Sequence, residues 1–287
     1  MMQNYRKRPI FFVFLALLGI SIFIWILVFQ SEAHKYLKFA ALDIGQGDAL
    51  FIESPAGTQI LIDGGPAKKI LGVLPKVMPF YDRKIDAIVI TNPDADHIAG
   101  FLDILKNYKV GLVIEPGTWN DSKTYKNLEA EIKRQKIPDI LARKGVKIDL
   151  GAGAVIDILF PDRDVSNWTT NDGSIVARLS YGKNSVMLTG DATKKTEGIV
   201  LSENPPQSLK SDILKVGHHG SKTSSSPEFV QAVSPTYAII SDGKNNKYGH
   251  PHQETLNTLT KFGTKILRTD LLGTIIFKSD GTSFYVN

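Results

Sequence analysis

The segment Thr91-Asn92-Pro93-Asp94-Ala95-Asp96-His97 sets two carboxylates and an imidazole within four residues. Carboxylates held this close raise each other's pKa unless a cation stands between them. A divalent metal is one such cation. The competing reading is an acidic loop that opens the next helix, because Asp accepts hydrogen bonds from the free N–H groups of a helix start. Asp191, in Leu188-Thr189-Gly190-Asp191-Ala192, carries the same two readings. The pair His218-His219 follows the apolar run Ile213-Leu214-Lys215-Val216 and precedes Gly220. Four of the six histidines fall in this pair and in Tyr248-Gly249-His250-Pro251-His252, a clustering that favours a site over scattered structural roles.

These residues need elements to position them. Alternating and continuous apolar runs predict strands over 36–42, 49–53, 59–62, 85–90, 112–115, 155–160, 174–181, 185–188, 212–216, 237–241 and 273–278. Apolar spacing predicts helices over 98–107, 125–136 and 252–262. The polar clusters come directly after strands: Asp94, Asp96 and His97 after one, Asp191 after another, His218 and His219 after a third. Ligand sites in α/β proteins lie beyond the carboxyl ends of strands. The pattern implies one α/β domain over 36–287, sheets inside and helices outside.

Residues 10–29 are a run of 20 uncharged residues, which as a helix spans about 30 Å, the thickness of a bilayer core. Arg6, Lys7 and Arg8 precede it. The expectation is a basic cytoplasmic flank over 1–9, a single transmembrane anchor over 10–29, and the domain on the extracytoplasmic side of the cell membrane. The alternative is secretion after signal cleavage, since Ser31-Glu32-Ala33 resembles a cleavage site, although the apolar run exceeds the usual ~7–15 residues of a signal core. The net charge of +5 is largely that flank. Beyond residue 30, 31 Lys and Arg face 29 Asp and Glu, so there is no long cationic track for nucleic acid. The absence of cysteine excludes disulfides, thiolate zinc sites, cysteine catalysis and a lipid-modified N-terminal Cys. Any metal must be held by His, Asp, Glu or Asn.

Taken together, Asp43-Ile44-Gly45-Gln46-Gly47-Asp48-Ala49, Leu61-Ile62-Asp63-Gly64-Gly65, Asn92 to His97, Gly190-Asp191, Lys215 to Ser224 and Tyr248 to His252 resemble a metallo-β-lactamase-fold hydrolase. More narrowly, they resemble the C-terminal hydrolase domain of the ComEC family of competence DNA-uptake proteins. The resemblance implies an α/β fold, an αβ/βα sandwich of two mixed sheets flanked by helices, with one or two divalent ions (Zn or Mn). Carried over, Asp94 and Asp191 would hold a first metal, and Asp96, His97, Asp191 and His218 a second, Asp191 bridging. A bridging carboxylate offsets repulsion between cations about 3.5–4 Å apart. Asn92 and Asp94 stand where the wider fold has its first two histidines, and Asn171 is the nearest candidate for the third. Amide oxygen is a poor zinc ligand beside imidazole but suits Mn or Mg. The expectation is a weak first site and a stronger second one.

Asp96 and His250 are the expected catalytic residues, with His250 a ligand, a substrate contact or a general acid. His219, Ser221, Lys222 and Thr223, with Lys215, Ser224 and Ser225 beside them, could bind phosphate oxygens or merely form a polar helix entry. Lys244 and Lys247 could meet a phosphate or face water. Asp63 could orient a ligand or shape a turn. Asp43 and Asp48 are expected to shape the first turn, and His252 to start a helix. His34 is expected to be uninvolved. Trp119 and Trp168 could stack a base. The resemblance implies a membrane-anchored hydrolase of phosphodiesters, acting on DNA outside the cytoplasmic membrane. With one apolar span, the DNA conduit would be a separate transport channel. The alternatives are a phosphomonoesterase or lactonase on the same fold, or a non-catalytic binding module with a decayed first metal site.

Overall fold

Strands whose successive residues are all apolar must be covered on both faces. In Gln59–Ile62, Ile60 and Ile62 enter one core and Leu61 another. In Asn184–Leu188, Val186 and Leu188 enter the first of these cores and Met187 a third. The computed structural model, which describes residues 7–33, 35–79 and 81–286 and, in the N-terminal helix, the side chains of 11–25, resolves this demand as four layers. Two sheets face each other across a shared core of Phe39, Ile52, Ile62, Leu179, Val186, Ile213 and their neighbours. Helices Phe101–Asn107 and Lys123–Gln135 cover one outer face, and helices Lys194–Glu203, Pro227–Val233 and Gln253–Lys261 the other. The expected αβ/βα sandwich of mixed sheets is what forms.

Among the described residues, one sheet has eight strands in the order Phe284–Val286, Ile275–Ser279, Leu37–Ala41, Leu50–Glu53, Gln59–Ile62, Ala87–Val89, Val113–Glu115, Asp139–Leu141. The other has seven: Lys265–Arg268, Tyr237–Ile240, Ile213–Lys215, Asn184–Leu188, Val176–Tyr181, Ala154–Phe160, Lys147–Asp149. Gln59–Ile62, Ala87–Val89 and Val113–Glu115 run parallel, as do Asn184–Leu188, Ile213–Lys215 and Tyr237–Ile240. The loops that leave the carboxyl ends of these strands carry the polar clusters.

Two predicted elements divide. The run 85–90 gives Lys84–Ile85, paired with Lys109–Val110 in a small separate sheet, and Ala87–Val89 in the main one. The helix expected over 98–107 begins earlier, as Ala95–Ile98, and restarts as Phe101–Asn107. The break falls where Gly100 passes Gly64, so closely that a Cβ at 100 would sit 1.9 Å from the Gly64 carbonyl oxygen. Hydrogen bonds from Gly64 N to His97 O and from Gly100 N to Gly65 O lock that crossing.

Ahead of the sheets, Lys7–Ala33 is one helix of 27 residues. Its apolar side chains over 11–25 are exposed. Among the described residues no helix is long and apolar enough to cross a membrane. The stretch with described side chains is shorter than the roughly 20 residues a bilayer core requires. The first six residues of the expected basic flank, the side chains at both ends of the expected anchor, and His34 lie outside what is described.

Candidate metal centre

Asp63 ends the strand Gln59–Ile62 in a left-handed conformation (φ 57°), and Thr91 follows Ala87–Val89. The Thr91 N–H and hydroxyl both donate to the Asp63 carboxylate, at 2.8 and 2.5 Å. The same carboxylate lies 2.9 Å from His97 Nδ1, so Asp63 is tied to a ligand candidate rather than to its turn alone. His97 is fully buried, and its Nε2 points at Asp191, 3.1 Å from Oδ2 but not aligned to bond it. Asp191 comes from the opposite sheet, just beyond Asn184–Leu188.

The adjacent histidines that follow Ile213–Lys215 both adopt left-handed backbone, φ 49° at His218 and 53° at His219. Two such residues in succession are strained. The strain turns the rings apart. His219 is buried, donates through Nδ1 to the Ser241 carbonyl (2.9 Å), and brings Nε2 to 3.5 Å from both Asp96 Oδ2 and Asp191 Oδ1. A bond to a carbonyl needs a donor, so Nδ1 carries the proton and Nε2 is left to face the centre. His218 stays at the edge, 3.8 Å from Asp191, with Nδ1 on the Thr223 hydroxyl. The sequence expectation placed His218 on the metal and His219 on the substrate; here His219, and not His218, joins Asp96 and His97 in a group of mutually close donor atoms.

The buried atoms His97 Nε2, His219 Nε2 and Asp191 Oδ1 have no hydrogen-bond partner. Unpaired buried polar atoms are costly. Here they converge, and two imidazoles with two carboxylates are a donor set that zinc or manganese accepts. The electrostatics agree. Burial would raise the Asp191 carboxyl, but His97 and His219 hold it far below the usual range. Burial would lower both imidazoles. Instead Asp191 and Asp63 push His97 well up, and Asp191 and Asp48 push His219 to about 10. The carboxylates thus favour positive charge between these rings, which a divalent cation held there would supply in place of ring protons.

Beneath His219 lies a buried ion pair. Lys215 Nζ is 2.8 Å from Asp48 Oδ2, both side chains out of solvent, and Asp48 Oδ1 is 3.4 Å from His219 Nδ1. Burial opposes the charge on Asp48, yet Lys215 and then His219 hold its pKa at about 2. Lys215 is therefore spent on Asp48 rather than on the phosphate contact or polar helix entry the sequence allowed, and Asp48 does more than shape a turn. Gly47 makes room for this packing, since a Cβ there would lie 2.2 Å from the Asp96 carbonyl oxygen.

The other half of the expected site is occupied by amides and hydroxyls. Asp94 opens the helix Ala95–Ile98 with its backbone, while its carboxylate accepts from Asn120 Nδ2 (2.8 Å) and Thr170 Oγ1 (2.9 Å). Asn92 Nδ2 donates to Asn171 Oδ1 at 2.7 Å. Asn120 and Thr170 gave no signal in the sequence, because they stand 26 and 76 positions from Asp94.

A cleft of about 170 Å³ opens on the centre, lined by Gln46, Asp94, Asp96, Asn171, Asp191, His218, His219, Tyr248 and His250. His250 stacks on Tyr248 (5.6 Å between rings), and its Nδ1 is buried without a partner. Burial, with His219 and His218 beside it, lowers His250 to about 4, so its ring is neutral near pH 7. Ser221, Lys222 and Thr223 do not line the cleft. Ser221 is buried and bonds Thr223, and the Lys222 N–H bonds His252 Nδ1. Lys247 lies over the Tyr248 ring at 5.1 Å. Trp168 packs on Phe160 with Lys195 above it, while Trp119 is exposed. A larger hollow, about 570 Å³ beside Glu129, Lys133, Lys136 and Asp139, holds no comparable set of groups.

The chain belongs to the metallo-beta-lactamase superfamily, whose family model matches residues 42–241, and its convergent donors form a group that could hold a metal ion. Among its curated relatives are competence proteins of the ComEC type. ComE operon protein 3 of Bacillus subtilis is 36% identical over 261 residues, covering 83% of this chain and 32% of the relative. Competence protein ComA of Neisseria gonorrhoeae is 30% identical over 236 residues, covering 82% of this chain and 31% of the relative. The chain thus spans about a third of the length of these relatives. Among solved structures, the metallo hydrolase Igni18 of Ignicoccus hospitalis superposes with a TM-score of 0.53 at 17% identity, covering 84% of this chain and 98% of that one. That likeness is one of fold.

Proposed function

We propose that the chain is a phosphodiesterase that cleaves DNA outside the cytoplasmic membrane, tethered by a helix over residues 10–29. The observation that carries the hydrolytic reading is the convergence of unpartnered His97 Nε2, His219 Nε2 and Asp191 Oδ1 beside Asp96. These four residues are the proposed ligands. Asp63 and the Ser241 carbonyl hold the two imidazoles with Nε2 inward. A bound divalent ion would supply Lewis-acid polarisation of the ester and a lowered pKa for water. Asp96, half-buried in the cleft wall, would accept a proton from the attacking water. The neutral His250 ring, which lines the same cleft, would hydrogen-bond the substrate.

DNA is favoured by the relatives, two of which are named for competence and a third, from Haemophilus influenzae, for recombination. The uncharged run over 10–29 behind Arg6, Lys7 and Arg8 supports the anchor and the outside location. A separate transport channel is the proposed partner. The near-balanced charge beyond residue 30 favours one second reading, a hydrolase of small phosphoesters. Single-stranded DNA, bis-p-nitrophenyl phosphate and a lactone, each assayed with Mn and with Zn, separate these readings. Turnover of both phosphodiesters is expected, with Asp96→Ala lowering kcat/KM by about 10³ or more, roughly 4 kcal/mol. Turnover of neither phosphodiester, or full activity of Asp96→Ala, would overturn the proposal.

A further inference from the structure

The two halves of the centre are built differently. Around His97 and His219, buried donor atoms face one another without partners. Around Asp94 the polar atoms are already paired. Asp94 Oδ1 takes the Asn120 amide and Oδ2 the Thr170 hydroxyl. Asn92 Oδ1 accepts the Asp94 N–H at 2.9 Å, and Asn92 Nδ2 is spent on Asn171 Oδ1. Neither asparagine has a buried unpartnered atom, and Asp94 belongs to no group of close His and carboxylate donors among the described residues. What this half could contribute to an ion is a single carboxylate beside the shared Asp191. Stable protein sites for divalent transition ions use three or four protein ligands.

We infer that the chain binds one divalent cation, at Asp96, His97, Asp191 and His219, and that a hydrogen-bonded clamp of Asn92, Asn120, Thr170 and Asn171 around Asp94 takes the place of a second. The amide of Asn120 and the hydroxyl of Thr170 give Asp94 the partners that a second cation would otherwise provide. Asn171, which lines the cleft, then presents an amide instead of an ion to whatever binds there. This rests on the metal centre proposed above but not on its substrate.

The test is metal counting on the full chain, purified in detergent, stripped with a chelator and titrated with MnCl₂. Bound manganese is counted by mass spectrometry after gel filtration, and its electron paramagnetic resonance spectrum recorded. One equivalent per chain with an uncoupled Mn(II) spectrum is expected. Asp94→Ala and the shape-preserving Asp94→Asn should retain that equivalent, and Asp96→Ala should lose it, with circular dichroism confirming that each variant is folded. Two equivalents with a spin-coupled spectrum overturn the inference, as does loss of the single ion from both Asp94 variants. Binding of no manganese or zinc by the folded parent overturns the metal centre itself. Failure to cleave DNA with one equivalent bound would touch only the proposed substrate.

Discussion

Asp48 and Lys215 show how a residue can serve a site without touching its substrate. The pair is sealed beneath His219, with each charge balanced by the other. Removing one partner of a buried pair strands the other charge, at a cost of about 3–5 kcal/mol, whereas removing both is often neutral. Lys215→Met is therefore expected to lower unfolding free energy by about that amount, and the double variant Lys215→Met with Asp48→Asn to recover most of it. Urea titration at pH 7.5 reads both, and a single variant as stable as the parent would contradict the account. From the sequence, Lys215 beside the histidine pair could bind phosphate or belong to a polar helix entry. Nothing local announces its partner, 167 positions earlier in the chain.

The parallel strands do the positioning. Three in one sheet and three in the other end at the same edge, so loops distant in sequence converge there. One of them carries an element-level liability. Glu115 ends Val113–Glu115, where burial, then Glu129 and Asp139, lift its carboxyl to about 7. A raised carboxyl is more readily deprotonated in the unfolded chain. The fold therefore loses stability as pH rises from about 4.5, the unfolded value, to about 7, and no further above that. Glu115→Gln should melt like the parent near pH 4 and be more stable by on the order of 1–2 kcal/mol at pH 8, a figure discounted for partial exposure. Chemical denaturation at the two pH values checks this, and equal stability of the two proteins at pH 8 would refute it. Boundaries within these elements were less legible than their existence. The helix after Asp94 breaks at Gly100 because another chain segment crosses there, a contact with Gly64 that no periodicity encodes.

At the scale of the whole molecule, the helix Lys7–Ala33 presents exposed apolar side chains over 11–25, and the rest of the chain is nearly neutral. With a membrane as the proposed partner of that helix, the full chain should stay in the membrane pellet after alkaline carbonate washing. Protease added to intact protoplasts should digest the domain. A soluble product whose N-terminus follows Ala33 would instead establish signal cleavage. The near-balance of charge also bears on substrate: binding to single-stranded DNA should weaken with salt through only a few phosphate contacts, a shallow slope of log K against log salt.

Several things were decided by the sequence alone. Apolar runs implied one α/β domain with sheets inside and helices outside, and Asp94, Asp96, His97, Asp191 and the histidine pair were placed at strand ends by local periodicity. The lack of cysteine limited any metal to nitrogen and oxygen donors. Only the tertiary structure decided which adjacent histidine turns inward, because two successive left-handed residues are held by surrounding packing rather than by their own preference. It alone brought Asn120 and Thr170 to Asp94, since hydrogen bonds across 26 and 76 positions depend on where the loops fold back. For the same reason, the contrast between a half-site left open for a cation and a half-site closed by amides could be seen only once the chain was folded.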